Sequence, residues 1–464
     1  MNQSKSLFKY LKNTRLFTGI KNLLIHILSF IRAVSSRIRL KITELSKAEN
    51  LIPGFKKKLV WVFIHALFLV VFTVALQYTA VVRFDESSFL RWATIVKHKV
   101  FNFDKKPDVN DVVFIDVAKD LALTDDGEYG APDSTMSGAK QAITDRVKLA
   151  RLFAVLNEHP NQYKYVICDV LFEKPAPGDS LLRPQIEKLK HVITSAIWND
   201  DTLVRPIYNV PYGIVNYTAI NKVLLTKIPV YFQDSLKSLP VTLYEETTPN
   251  RFTKKYGLTW LNGRLTFNTI IPEFYYRPFD LVKASAVQKV NTYNLGELLF
   301  DPDFFSLLKN KVIVIGDFST DQHLTNLEYM PGALILWDTY LTLREHPETI
   351  SVYWLLMLFV CYFLISYWII LHPDRKLEEV HVKIKIPFFK ELIIKVFSIT
   401  LILIIINIFS YFYFSAFISL FYIATYLTLA QILIDKFPKL KAWWLRKMTE
   451  SNLNETQGLR PGPK

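Results

Sequence analysis

The sequence predicts an α/β fold: an extracytoplasmic mixed sheet flanked by helices, carrying a β-rich insertion and attached to four transmembrane helices. Three observations predict it. Half of the 464 residues are hydrophobic, and four apolar runs, residues 59–82, 350–371, 392–411 and 415–434, are longer and poorer in charge than a soluble core uses. The long segment 83–349, between the first two runs, alternates strand and helix signals as a helix-covered sheet requires. The basic residues gather at the membrane flanks: residues 1–58 carry +11, 372–395 carry +2 and 435–464 carry +4, which leaves −3 for 83–349 in a chain of +14. Positive flanks stay in the cytoplasm, so four spans place both termini inside and residues 83–349 outside.

Residues 1–58 form a cytoplasmic basic tail. Within it Ile20, Leu23, Leu24, Ile27, Leu28, Ile31 and Val34 recur at helical spacing opposite Lys21, Asn22, Ser29 and Arg32. Such a helix lies on the anionic inner leaflet or docks a partner. Pro53-Gly54 breaks the chain before Lys56-Lys57-Lys58 meets the first span, 59–82. That run is too long and too deep in the chain for a cleaved signal, and reads as a retained anchor.

In the outer segment, Asp111–Val117 reads as a short buried strand. "TDRVKLARLFAVLNEH" reads as a helix with Thr144 as its N-cap, and Tyr163–Phe172 as the next strand. A short helix near Leu181–Lys190 and a strand at His191–Ile197 follow. Asn262-Gly263 marks a hairpin turn in the β-rich insertion, and "KVIVIGD" opens the last strand. Cys168 and Cys361 fall in the outer segment and inside the second span, so no disulfide is expected. Residues 350–371 form the second span, 372–391 a cytoplasmic loop, 392–411 and 415–434 the third and fourth spans, and 435–464 a cytoplasmic tail. Tyr353-Trp354 and Trp443-Trp444 read as interfacial anchors, and Asn407 as a polar contact between helices.

The stretches "DVVFIDVAKD" (111–120), "VICDVLFEKPAPGDSLL" (166–182), "LLKNKVIVIGDFSTDQHLTN" (307–326) and "MPGALILWDTYLTL" (330–343), set between one leading span and three following ones, resemble the type-2 CHASE domain. This is the cyclase/histidine-kinase-associated sensory extracellular domain of bacterial receptors. The resemblance covers roughly residues 84–436. It implies a sensor at the inner, cytoplasmic membrane that reads an envelope or environmental signal. The chain departs from the family pattern after Pro331-Gly332, where "ALILWDTYLTL" stands in place of a usual His-Ala pair, and no kinase or cyclase domain is legible after the fourth run. A separate cytoplasmic signalling partner is therefore expected.

Three core strands end in acids, Asp116, Asp169 and Asp317. Ligands of open α/β sheets bind outside the carboxyl ends of the strands, so these three with Asp321 and His323 are the candidate ligand-binding residues. The competing assignment makes each Asp a cap for the following loop, worth about 0.5 to 2 kcal/mol. A Ser319–Asp321–His323 hydrolase lacks the G-x-S-x-G elbow. Walker, H-E-x-x-H and C-x-x-C motifs are absent from the sequence, and glycine, 14 of 464, is scarce for phosphate-cradling loops. The expected protein is thus a receptor rather than an enzyme, with no cofactor, no metal and no nucleic acid. Its expected partners are membrane lipid, a small-molecule ligand and the cytoplasmic partner, in an assembly compatible with a homodimer. An envelope scaffold without a small ligand is the alternative, and an extracytoplasmic hydrolase the third reading.

Overall fold

Runs rich in β-branched residues become β1 (Val112–Asp116), β2 (Tyr165–Leu171), β3 (Val192–Asn199) and, later in the chain, β6 (Val312–Gly316), and two three-residue segments, β4 (Tyr212–Ile214) and β5 (Thr292–Asn294), complete six parallel strands. They lie in the order β5-β1-β6-β2-β3-β4, and Thr202–Val204 adds an antiparallel strand to β3, which makes the sheet mixed as expected. The computed structural model describes residues 55–78, 84–101, 103, 111–125, 140–199, 202–220, 224–232, 235–278, 281, 292–346, 350–371 and 387–434. The helix expected at 20–34, the Trp443-Trp444 pair and most of the 372–391 loop lie outside them.

These residues divide into two compact units. One holds residues 55–66 and 363–371; the other holds the remainder, including the whole sheet. In the first, His65 Nδ1 and Ser366 Oγ share a hydrogen bond of 2.7 Å. The helices along the chain are α1 (Phe55–Leu76), α2 (Phe84–Ile95), α3 (Arg146–Glu158), α4 (Asp179–Ile186), α5 (Leu239–Thr247), α6 (Gly332–Glu345), α7 (Val352–Leu371), α8 (Pro387–Phe414) and α9 (Leu420–Ile434).

A parallel sheet must bury both faces, and β1 and β6 are buried at every position. Val113, Ile115, Val166, Cys168, Ile313 and Ile315 pack against α3 and α4. Val112, Phe114, Tyr165, Ile167, Val312 and Val314 face α5, α6 and the β-rich insertion. On α3, Leu149, Leu152, Phe153 and Leu156 are fully buried, each contributing roughly 1.5–3 kcal/mol of transfer free energy. The N-cap of α3 is Asp145, not Thr144: Thr144 ends the strand Lys140–Thr144, and Asp145 Oδ1 accepts from Val147 N at 2.9 Å and Lys148 N at 3.2 Å. The Asn262-Gly263 turn has φ of +49° and +78° and joins Leu258–Leu261 to Arg264–Thr266, the twist that a two-residue hairpin needs.

Of the four apolar runs, two, α1 and α7, form helices long and apolar enough to cross a membrane among the described residues. The other two give shorter apolar stretches, Ile399–Phe414 and Leu420–Ile434, so two candidate spans, where four were expected, stand among the described residues. Helix α8 runs for 28 residues and contains the whole third run, whereas the fourth run is cut at its start, where residues 415–419 are non-helical, with Ser415 at φ +49°. Asn407 holds that break closed: its Nδ2 donates to Ile418 O and its Oδ1 accepts from Ile418 N, both at 2.9 Å. Tyr353 is exposed as an anchor would be, but Trp354 is buried and donates to Ser410 Oγ at 2.7 Å, so it belongs to packing rather than to an interface.

Candidate functional site

Because β1, β6, β2 and β3 run parallel, their carboxyl ends come out on one edge and bring the candidate acids together. The acids divide into two kinds. Asp116, the last residue of β1, is buried and accepts from Ala118 N (3.0 Å), Phe318 N (3.1 Å) and Ser319 Oγ (2.9 Å). It clips the loop after β1 to the loop after β6, and does not line the cavity described below. Asp317 accepts from Ser319 N (2.9 Å) and Thr320 N (2.6 Å) through Oδ1 and from the Thr320 hydroxyl through Oδ2. Burial pushes its carboxyl up, but the Thr320 and Ser319 hydrogen bonds outweigh this and hold it below the usual carboxylate range. Asp317 reaches the cavity wall as a loop cap with its acceptors engaged.

Asp169 is different. The register between β2 and β3 slips between Cys168 and Leu171, an irregularity of the kind that re-aims side chains beside sites. Its Oδ1 accepts from Ser195 Oγ at 2.6 Å. Asp321 Oδ1 lies 2.9 Å from His323 Nε2, and His323 Nδ1 lies 2.9 Å from Tyr217 OH. The second oxygens of both carboxylates gather at the start of α6. A Cβ on Gly332 would stand 2.4 Å from Asp321 Oδ2 and 3.4 Å from Asp169 Oδ2. The missing side chain at Gly332 is what lets two acids crowd one backbone position. Gly316 does the matching work for packing, since a Cβ there would meet Ala333 Cβ at 2.5 Å.

Burial raises the Asp169 carboxyl to about 6, with Asp321 adding to the rise and the Ser195 hydrogen bond and His323 opposing it. The hydrogen bond to Asp321 raises His323 above its ordinary value against the pull of burial, and the Asp321 and Asp169 charges add to it. The side chain of Asp321 is 46% exposed and that of His323 27%, so the pair stands toward solvent while Asp169 is half-buried. All three open onto a cavity of about 970 Å³, within the range that small ligands occupy. Val170, Ile197, Val215, Leu225, Ile228 and Ile335 supply apolar wall, and Glu173 and Lys174 are exposed at its edge. Arg146 also lines it, but its guanidinium is committed to Asp179, Tyr208 and the Lys174 carbonyl.

In comparisons with known proteins, no family model, no curated protein and no solved structure matches this chain.

Of the five candidates, Asp169, Asp321 and His323 form one constellation, Asp317 borders it as a cap, and Asp116 lies outside it. The Ser319–Asp321–His323 triad is not assembled: the Ser319 hydroxyl donates to Asp116, and the His323 nitrogens face Asp321 and Tyr217. Among the described residues no group of three or more His, Cys, Asp or Glu is placed to hold a metal ion. Sequence reasoning missed Ser195, Tyr217 and Gly332. Thr194-Ser195, two polar residues inside an apolar strand, carried a signal for the first, since both are buried. Tyr217 sits in no recognisable pattern.

Proposed function

We propose that this chain is a membrane-anchored receptor module of the type-2 CHASE kind. Residues 83–349 form its extracytoplasmic domain, which binds a small basic ligand and passes the signal to a separate cytoplasmic partner through the apolar helices. The observation that carries this reading is the cavity at the carboxyl edge of the sheet, with Asp169 and Asp321 crowding Gly332 above apolar walls. His323 answers one of the two charges through Asp321, and Asp169, a half-buried carboxylate that Asp321 repels, lacks the water that would relieve the other. An ammonium or amidinium group supplies the counter-charge and the donors, and a ligand's apolar body meets Leu225, Ile228 and Ile335. The open cavity speaks against a scaffold whose pocket is filled by its own side chains. Charge asymmetry across the apolar helices supports an outward-facing domain.

The reading is tested by thermal unfolding of the purified full chain in detergent at neutral pH. The probes are an aliphatic polyamine, an aromatic monoamine and, as controls, a dicarboxylate and an inorganic phosphate. An amine of the right shape raises the melting temperature, with about 2.7 kcal/mol of stabilisation at a hundredfold excess over its dissociation constant. Asp169→Asn and Asp321→Asn remove the gain. Stabilisation by the anions alone contradicts the proposal.

A further inference from the structure

Far from the cavity, a second set of charged groups is buried where three distant stretches of chain meet. Helix α2 continues into a single π turn, Val96–Val100, the widened geometry that proteins tend to keep at functional positions. It buries Lys97 and His98. The Lys97 ammonium bonds to Glu273, whose carboxylate also accepts from Ser415 Oγ at 3.2 Å and lies 3.7 Å from His98 Nε2. Lys97 Nζ stands 5.0 Å over the ring of Tyr411, and the Tyr411 hydroxyl meets Thr94 Oγ1 at 2.9 Å. Tyr411 and Ser415 belong to the end of α8 and the break that follows it. A buried ion pair adds little net stability over apolar packing, yet losing one partner is costly, so such a pair fixes one arrangement against others.

Helix α6 links this cluster to the cavity. At its first turns Gly332, Ile335 and Leu336 line the cavity, and Gly332 N donates to Asp321 O at 3.1 Å. Near its other end Thr342 Oγ1 accepts from Glu273 N at 2.9 Å, and one turn earlier Asp338 Oδ1 accepts from Tyr276 N at 3.1 Å. Leu334, Trp337, Asp338, Leu341 and Thr342 are buried, so the helix is held along its length. Fourteen residues at about 1.5 Å each span roughly 20 Å, so one rigid element touches both places.

We propose that α6 is a coupling rod: a change at the Asp169–Asp321 end of the cavity moves the Glu273 segment through Thr342 and Asp338, and so resets the Lys97–Glu273–Ser415 cluster at the α8 break. This rests on the receptor reading above and adds its regulation. Packed helices shift as units rather than deform, so a small displacement at one end arrives at the other.

Hydrogen–deuterium exchange on the full chain in detergent, with no ligand present, tests the proposal. Asp321→Asn perturbs the cavity end, with His323→Gln as a second perturbation should the first fail to fold. Either one is expected to change uptake in peptides covering residues 94–101 and 411–419 by about twofold or more, while 149–158 on the opposite face of the sheet stays unchanged. Thr342→Val keeps the shape of α6 but removes its bond to Glu273, and in that background the distant response falls by about half or more. An unchanged 94–101 and 411–419, an equal response in 149–158, or a response indifferent to Thr342→Val overturns the rod. Because no ligand enters, a failure of the amine screen leaves this result standing, and a positive screen does not rescue a failed one.

Discussion

Asp169 and Asp317 sit on one edge at the ends of neighbouring strands, β2 and β6, and their surroundings drive them in opposite directions. Asp169 is raised to about 6 by burial, so the folded protein holds its proton more tightly than the unfolded chain does. Its contribution is fully present below the unfolded carboxyl range near 3.9 and is lost as the pH rises through about 6. Asp317, held low by Thr320 and Ser319, contributes above the ordinary carboxyl range and loses that contribution as the pH falls through its folded value. Thermal unfolding from pH 4 to pH 7 separates them. Relative to the parent, Asp169→Asn is expected to gain stability as the pH rises from 4 to 7. Asp317→Ala is expected to lose about 0.5–2 kcal/mol throughout pH 5 to 7, a loss that shrinks only as the pH falls below about 4. Strand-then-acid patterns were legible in the sequence at all three positions. Which acid caps and which faces a cavity was not, because the answer lies in Ser195, Tyr217 and Gly332, brought in from elsewhere in the chain.

At the scale of elements, β6 and α6 depend on two glycines with different tasks. Gly316 lets α6 start hard against the strand, while Gly332 leaves room for Asp321 and Asp169. Gly316→Ala is expected to destabilise the chain by about 1–3 kcal/mol, as overpacking does, and to be partly rescued by adding Ala333→Gly. Full additivity of the two changes in denaturant unfolding would show that the contact is not the cause. Strands β1, β2, β3 and β6 could be read from their apolar runs because burial on both faces leaves no alternation to misread, whereas the three-residue β4 and β5 carry no such run and were not legible. The start of α3 was displaced by one residue, since Thr144 and Asp145 are both good caps and only the pairing of Lys140–Thr144 with Leu121–Asp125 decides between them. Apolar length alone overstated the fourth helix, which starts at Leu420 rather than at Ser415, because it is blind to the break at Ser415 that Asn407 closes.

At the scale of the whole molecule, the proposed receptor turns its sheet domain outward, takes its ligand from outside the cell and reports inward through α6. Fold class came from the apolar runs and the strand–helix alternation, both properties of long stretches. The Glu273 cluster came from neither, because Lys97, Glu273 and Ser415 are far apart in sequence and share no motif. The most direct test of the account is the sidedness of the cavity. Glu173 is exposed at the cavity edge, so a cysteine introduced as Glu173→Cys reports on that space, and Ser451→Cys in the C-terminal tail serves as the opposite control. With a membrane-impermeant thiol reagent on intact spheroplasts, the account predicts labelling at position 173 without lysis, slowed by any amine that stabilises the purified chain, and labelling at position 451 only after lysis. Labelling at 173 that requires lysis would contradict it.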